Sequence, residues 1–255
     1  CVVIPTVASN DAPCSGVAVL YNDAGVVIKA VLMRRNPDLV LVDTGIIAEA
    51  PRRLFAAGLG DALSTWFEAR ACKNSGARTM ARGNVSNTGL MMARLCYDLL
   101  MEKGRDALDA VDRHQVTPEL EDVVEASIYL SGLGFENGGL AAAHAINDGF
   151  AQEPQAHGMY HGEKVAFGTL TQLVLERAPE EELEQVLSFL KDTGLPMTLA
   201  QLGVKEVVPE TLKKVAEAAC VPTQSTRNLR ADIAAQEVYD AILEADRMGR
   251  AYLAR

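Results

Sequence analysis

Basic residues and long apolar runs are the two things this sequence is short of. Lys and Arg total 24 against 34 Asp and Glu, a formal net charge of −10 over 255 residues. A chain of that sign lacks the basic surface that a nucleic-acid backbone or an anionic membrane selects, so neither is an expected partner. No apolar run approaches the roughly 20 residues that span a bilayer, and Lys29 interrupts even the stretch over residues 26–33. Five cysteines (Cys1, Cys14, Cys72, Cys96 and Cys220) are odd in number, widely spaced and without a CxxC pair. They predict neither a disulfide framework nor a zinc ribbon, and a reducing cytoplasm is the expected location. The chain opens Cys-Val-Val-Ile-Pro, with no Met and no signal-peptide pattern, like the middle of something longer.

What is present is an ordinary globular composition, 49% hydrophobic and 23% charged, in a length that suits one large domain or two ordinary ones. The first fifty residues read as β. Runs rich in Val, Leu and Ile at 2–4, 17–21, 26–33 and 39–42 are separated by turn-forming clusters at 9–13, 22–25 and 35–38. The middle two runs predict a hairpin across 22–25. From about residue 48 the texture becomes helical. Helices are expected over 51–57, 60–73, 87–103, 117–129, 140–148, 162–177, 180–193, 196–202, 209–219 and 234–253. Thr117-Pro118 supplies an N-cap with Pro in the first turn, and Pro179 stops the helix before it. The chain thus divides into a β-rich piece over 1–50 and an all-helical domain over 51–255. The strands have no helical crossovers and no layer to cover them, as in a sheet fragment whose partners lie upstream.

Chemistry-bearing residues concentrate in few places. The four histidines are His114, His144, His157 and His161, three of them within eighteen residues. His144 and His161 fall in different elements joined by an irregular loop, an arrangement that can converge two imidazoles on one metal. Hydrogen-bonded core histidines are the commoner meaning of such spacing, and no HExxH-type motif fixes a metal site here. His157, four residues before His161 but flanked by Gly158 and Gly162, is the weaker ligand candidate. In Gly58-Leu59-Gly60-Asp61 a carboxylate sits at an expected helix start, where it is either a third ligand or an ordinary first-turn acid. Beyond it Leu59, Leu63 and Phe67 share one helix face, and Asp61, Thr65, Glu68 and Cys72 another.

Four segments carry a resemblance. Asp11 lies in Thr6-Val7-Ala8-Ser9-Asn10-Asp11-Ala12-Pro13-Cys14-Ser15, and Asp61 in Gly58-Leu59-Gly60-Asp61-Ala62-Leu63. His144 closes Gly138-Gly139-Leu140-Ala141-Ala142-Ala143-His144, and His161 opens His161-Gly162-Glu163-Lys164. In order and spacing, over the whole chain, these segments resemble the glycerol dehydrogenases, the zinc-using branch of the iron-containing alcohol dehydrogenase family. The resemblance implies a mainly α fold: the helical-bundle domain of the dehydroquinate-synthase-like and iron-containing alcohol dehydrogenase fold, preceded by a β-rich remnant of an α/β nucleotide-binding domain. It implies that Asp61, His144 and His161 hold one Zn²⁺, with an open position. Iron-using relatives carry a His where Thr65 stands, which favours zinc. It implies that Asp11 binds a substrate hydroxyl and that Thr6, Ser9, Ser15, Val17 and Tyr21 line the nicotinamide nucleotide. The implied reaction is NAD-linked oxidation of glycerol, or another small vicinal diol, to the ketone, in a homo-oligomer. The departure is an absent glycine-rich pyrophosphate loop between Cys1 and Ala50. The chain is therefore expected to begin inside the nucleotide domain and to be a weak dehydrogenase or an inactive one. The rival readings are a related enzyme on a phosphorylated substrate, and a non-catalytic helical zinc-binding or assembly fragment.

Overall fold

The structure, a computed structural model, describes residues 1–21 and 27–255, with only the backbone of Tyr21, Val27 and Ile28. Four short strands come first. β1 (Val2–Val3) pairs in parallel with β4 (Leu39–Val40), and β2 (Val17–Tyr21) pairs antiparallel with β3 (Val27–Leu32). The expected pairing of the middle two runs is therefore present, while the turn predicted at 22–25 lies outside the described residues. Val2, Ile4, Leu20, Leu32, Leu39 and Leu41 are exposed. Between the two pairs, the loop carrying Ala8 and Cys14 turns inward and joins the main hydrophobic core.

That core belongs to the helices. α1 (Thr44–Ala48) follows the strands, capped by Asp43, whose side chain accepts from the amides of Gly45 and Ile46. It was not expected, because five residues leave too little periodicity to read. α2 (Arg52–Ser75) is the central helix, packed by α3 (Asn87–Asp112), α5 (Ser131–Gly138) and α7 (His161–Glu176). The remaining helices are α4 (Pro118–Glu125), α6 (Ala142–Gly149), α8 (Glu180–Thr193), α9 (Pro209–Ala219), α10 (Thr226–Leu229) and α11 (Ala235–Leu253). Among the described residues no helix is long and apolar enough to cross a membrane.

Three expectations are corrected. The separate helices expected over 51–57 and 60–73 are one, because Gly58 and Gly60 are contact points and not breaks. A Cβ at Gly58 would stand 1.9 Å from the Ala8 carbonyl oxygen, and one at Gly60 2.5 Å from that of Gly162. Both sides of α2 are covered: Phe55, Leu59, Leu63 and Phe67 are buried, and so are Asp61, Thr65 and Glu68. The helix expected over 117–129 runs on through a π-helical stretch, Ala126–Leu130, into α5. Residues 196–202 form turns, not a helix. There the Gln201 side chain accepts from the Met197 amide, and buried Asp246 accepts from that of Leu199.

Candidate metal centre

Asp61, His144 and His161 reach one point from three helices. Asp61 sits within α2 and is 1% exposed. His144 lies in the first turn of α6, and His161 is the first residue of α7. His161 Nε2 is 3.2 Å from Asp61 Oδ1, His144 Nε2 is 3.4 Å from the same oxygen, and the two rings are 5.3 Å apart. One ligand atom from each residue falls within 4.8 Å of the others.

Two features of the chain produce this convergence. A Cβ on Gly162 would stand 1.8 Å from the Ala57 carbonyl oxygen, so the start of α7 can touch the α2 backbone only where that side chain is missing. Glu163 then pins the same turn, accepting from the Tyr160 amide at 2.7 Å and from Arg53 through two nitrogens at 2.6 and 2.8 Å.

Asp61 Oδ2 accepts from the Asp11 amide at 3.3 Å, whereas Oδ1, the oxygen facing both imidazoles, is buried without a hydrogen-bond partner among the described residues. A buried orphan acceptor is costly in isolation. One oxygen and two imidazole nitrogens aimed at one point are a donor set of the kind that binds Zn²⁺, so these residues fit such an ion.

Electrostatics tie the three together. Burial alone would raise the Asp61 carboxyl, but His161 and then His144 hold it well below the usual carboxylate range. Burial opposes charge on His144, yet Glu68 and Asp61 raise it well above an ordinary histidine. Glu68 lies in α2 two turns beyond Asp61 and is fully buried. Its Oε2 is 2.6 Å from His144 Nδ1, and its Oε1 accepts from the amides of Ala141 and His144 at 2.8 and 3.0 Å.

Asp11 lies on the inward loop beside this cluster. Ser131 donates to its Oδ2 at 2.8 Å, and the Ser131 hydroxyl is in turn 2.8 Å from that of Thr65. Burial, with Asp61 second, pushes Asp11 up to about 8. Of the residues expected on the nucleotide, Thr6 is exposed and Ser9 half-buried on the approach to Asp11. Ser15 is buried, its hydroxyl accepting from the Val17 amide at 2.8 Å. Val17 opens β2 and Tyr21 closes it, with the Tyr21 side chain outside what is described. His157 is exposed, its ring bonded to the Ala151 carbonyl, outside the cluster. Glu68 and Ser131 received no role from the sequence. The heptad spacing of Glu68 from Asp61 was the available signal for one; for Ser131 there was none.

Comparison with known proteins places the chain among relatives. It is 54% identical over 251 residues to a glycerol dehydrogenase of Escherichia coli O6:H1, an alignment covering 98% of this chain and 68% of that one. The crystal structure of glycerol dehydrogenase from Schizosaccharomyces pombe superposes with a TM-score of 0.96 at 39% identity, over 99% of this chain and 64% of that one. An iron-containing alcohol dehydrogenase shares the fold, with a TM-score of 0.68 at 20% identity over 96% of this chain and 63% of that one. No protein-family profile matches the chain.

Proposed function

Because the chain belongs to the glycerol dehydrogenase family, we propose that it carries the metal-holding part of an enzyme that oxidises glycerol to dihydroxyacetone with NAD. In this reading residues 51–255 form the helical metal-binding domain, and residues 1–50 belong to the nucleotide-binding side. The observation that carries it is the convergence of Asp61, His144 and His161 around the unpartnered Asp61 Oδ1. These three residues would hold Zn²⁺. When bound, the ion would act as a Lewis acid on a hydroxyl oxygen and make its proton easier to lose.

The remaining work falls to side chains of this chain. Ser131 orients the Asp11 carboxyl through Oδ2, and a substrate hydroxyl would meet the other oxygen. Asp11 would meet that hydroxyl as an accepting carboxylate, because the repulsion from Asp61, the second cause of its raised value, would be offset with Asp61 bound to a cation. Two fixed points, the cluster and Asp11, select a diol over a simple alcohol. Thr6, Ser9, Ser15, Val17 and Tyr21 would line the nicotinamide, which takes the hydride. A homo-oligomer belongs to the same reading, supported by Met91, Leu95 and Tyr129, which are 65%, 49% and 49% exposed.

Elemental analysis tests the proposal. The purified protein should carry one zinc per chain, and His144→Ala should lose it. Full zinc in His144→Ala would remove that residue from the site.

A further inference from the structure

We infer that Glu68 is a positioning residue that sets the tautomer of His144, fixing the proton on Nδ1 so that Nε2 presents its lone pair to the point shared with Asp61 and His161. The inference rests on the metal-site reading above and adds a residue to it. It starts from an asymmetry in how Glu68 is bonded. Oε1 accepts from two backbone amides, those of Ala141 and His144 at 2.8 and 3.0 Å, which fasten the first turn of α6 to α2. Oε2 meets the imidazole, at 2.6 Å from Nδ1, and among the described residues it has no other hydrogen-bond partner.

A carboxylate oxygen offers lone pairs, so the proton of this short contact comes from the ring. A neutral imidazole carries one N–H, and placing it on Nδ1 leaves Nε2 free to ligate. The opposite tautomer would set two lone-pair atoms against each other at 2.6 Å on one side of the ring. It would also aim an N–H into the metal point on the other. Histidine ligands to metals commonly donate their second nitrogen to a carboxylate in this way, and removing the acceptor typically weakens metal binding by about 10- to 100-fold.

Glu68 also fixes where the ring stands. The same side chain that receives Nδ1 holds the His144 backbone amide, so ring and backbone have a common reference on α2. Asp61 is on that helix two turns earlier. The distance between one ligand and the partner that steers the other is thus set within a single rigid element.

Glu68→Gln is the informative variant. Its carbonyl oxygen can still accept from the Ala141 and His144 amides, so α6 keeps its anchor. Its NH₂ group faces Nδ1 and demands a lone pair there, which drives the proton to Nε2. The expected result is zinc binding about 10- to 100-fold weaker by competition with a chromophoric chelator, with an unchanged circular dichroism spectrum of the metal-free chain. Equal zinc affinity in variant and parent would overturn the inference.

A second measurement needs no variant. In the zinc-loaded parent, long-range ¹H–¹⁵N spectra should show the His144 proton on Nδ1 and the metal shift on Nε2. A proton on Nε2, or metal on Nδ1, would overturn the inference even if Glu68→Gln failed to fold. Failure of the parent to bind zinc, or zinc retention in His144→Ala, would instead remove the metal-site reading and the inference with it.

Discussion

His161 Nε2 stands 3.2 Å from Asp61 Oδ1, although 100 residues separate the two in the chain. The contact is made at the crossing of α2 and α7, where Gly162 lies on the Ala57 carbonyl.

Gly162→Ala should therefore act on the site and not only on stability. The added carbon would lie 1.8 Å from the Ala57 oxygen, so α7 must move away from α2. Overpacking of this kind costs about 1–3 kcal/mol. The expected outcome is a lowered melting temperature together with weakened zinc binding. Gly158→Ala, where an added Cβ would meet no described residue beyond its chain neighbours within 4 Å, should leave both unchanged.

Zinc binding should release protons and strengthen with pH. In the metal-free chain His144 titrates well above the ordinary histidine value of 6.5, because Glu68 and Asp61 outweigh the effect of burial. A raised folded value contributes stability below the unfolded pKa and loses it as pH rises through the folded one. Zinc competes with the proton for the same ring. The melting temperatures of zinc-loaded and zinc-free protein should diverge further on going from about pH 6 to about pH 8. Calorimetric titration in two buffers of different ionisation enthalpy would report the released proton directly. A constant gap and no buffer dependence would contradict it.

Asp11→Asn should raise KM for glycerol much more than for a secondary alcohol without a neighbouring hydroxyl. A hydrogen bond to a charged group is worth about 1.5–3 kcal/mol, or roughly 10- to 100-fold. Ser131→Ala should give a smaller change of the same kind, since it leaves the Asp11 carboxyl in place and removes the bond that orients its Oδ2, along with the one to Thr65. Steady-state kinetics of the active enzyme on both substrates would measure it. Equal effects on the two would make Asp11 structural.

Thiol reactivity should follow burial. Cys1 is exposed, whereas Cys72 and Cys96 are buried. Burial, with Glu68 adding to it, pushes the Cys72 thiol up to about 12, and burial raises Cys96 as well. Alkylation of the native protein at neutral pH, followed by peptide mapping, should label Cys1 first and leave Cys72 and Cys96 until the chain is unfolded. Prompt labelling of Cys72 would mean that α2 and the Leu140 carbonyl it contacts open readily.

The division into a strand-rich start and a helical remainder, and Asp61, His144 and His161 as a candidate set, could be read from the sequence, whereas α1, α5 and α10 were not expected. Each of those two readings is a local statement: residue types at short spacing, caps such as Thr117-Pro118, and segments similar to a known family. The continuity of α2 could not be read this way. Gly58 and Gly60 look like breaks in isolation, and only the Ala8 loop and α7 pressed against them show that they are contact points. Glu68 and Ser131 were hidden for the same reason. Their partners lie 76 and 120 residues away, and no periodicity encodes which face of one helix meets which turn of another. The Glu68 pairing arises only in the packed molecule, where the middle of α2 is enclosed by neighbouring helices and a buried carboxylate such as Glu68 is satisfied by the turn of α6 set against it.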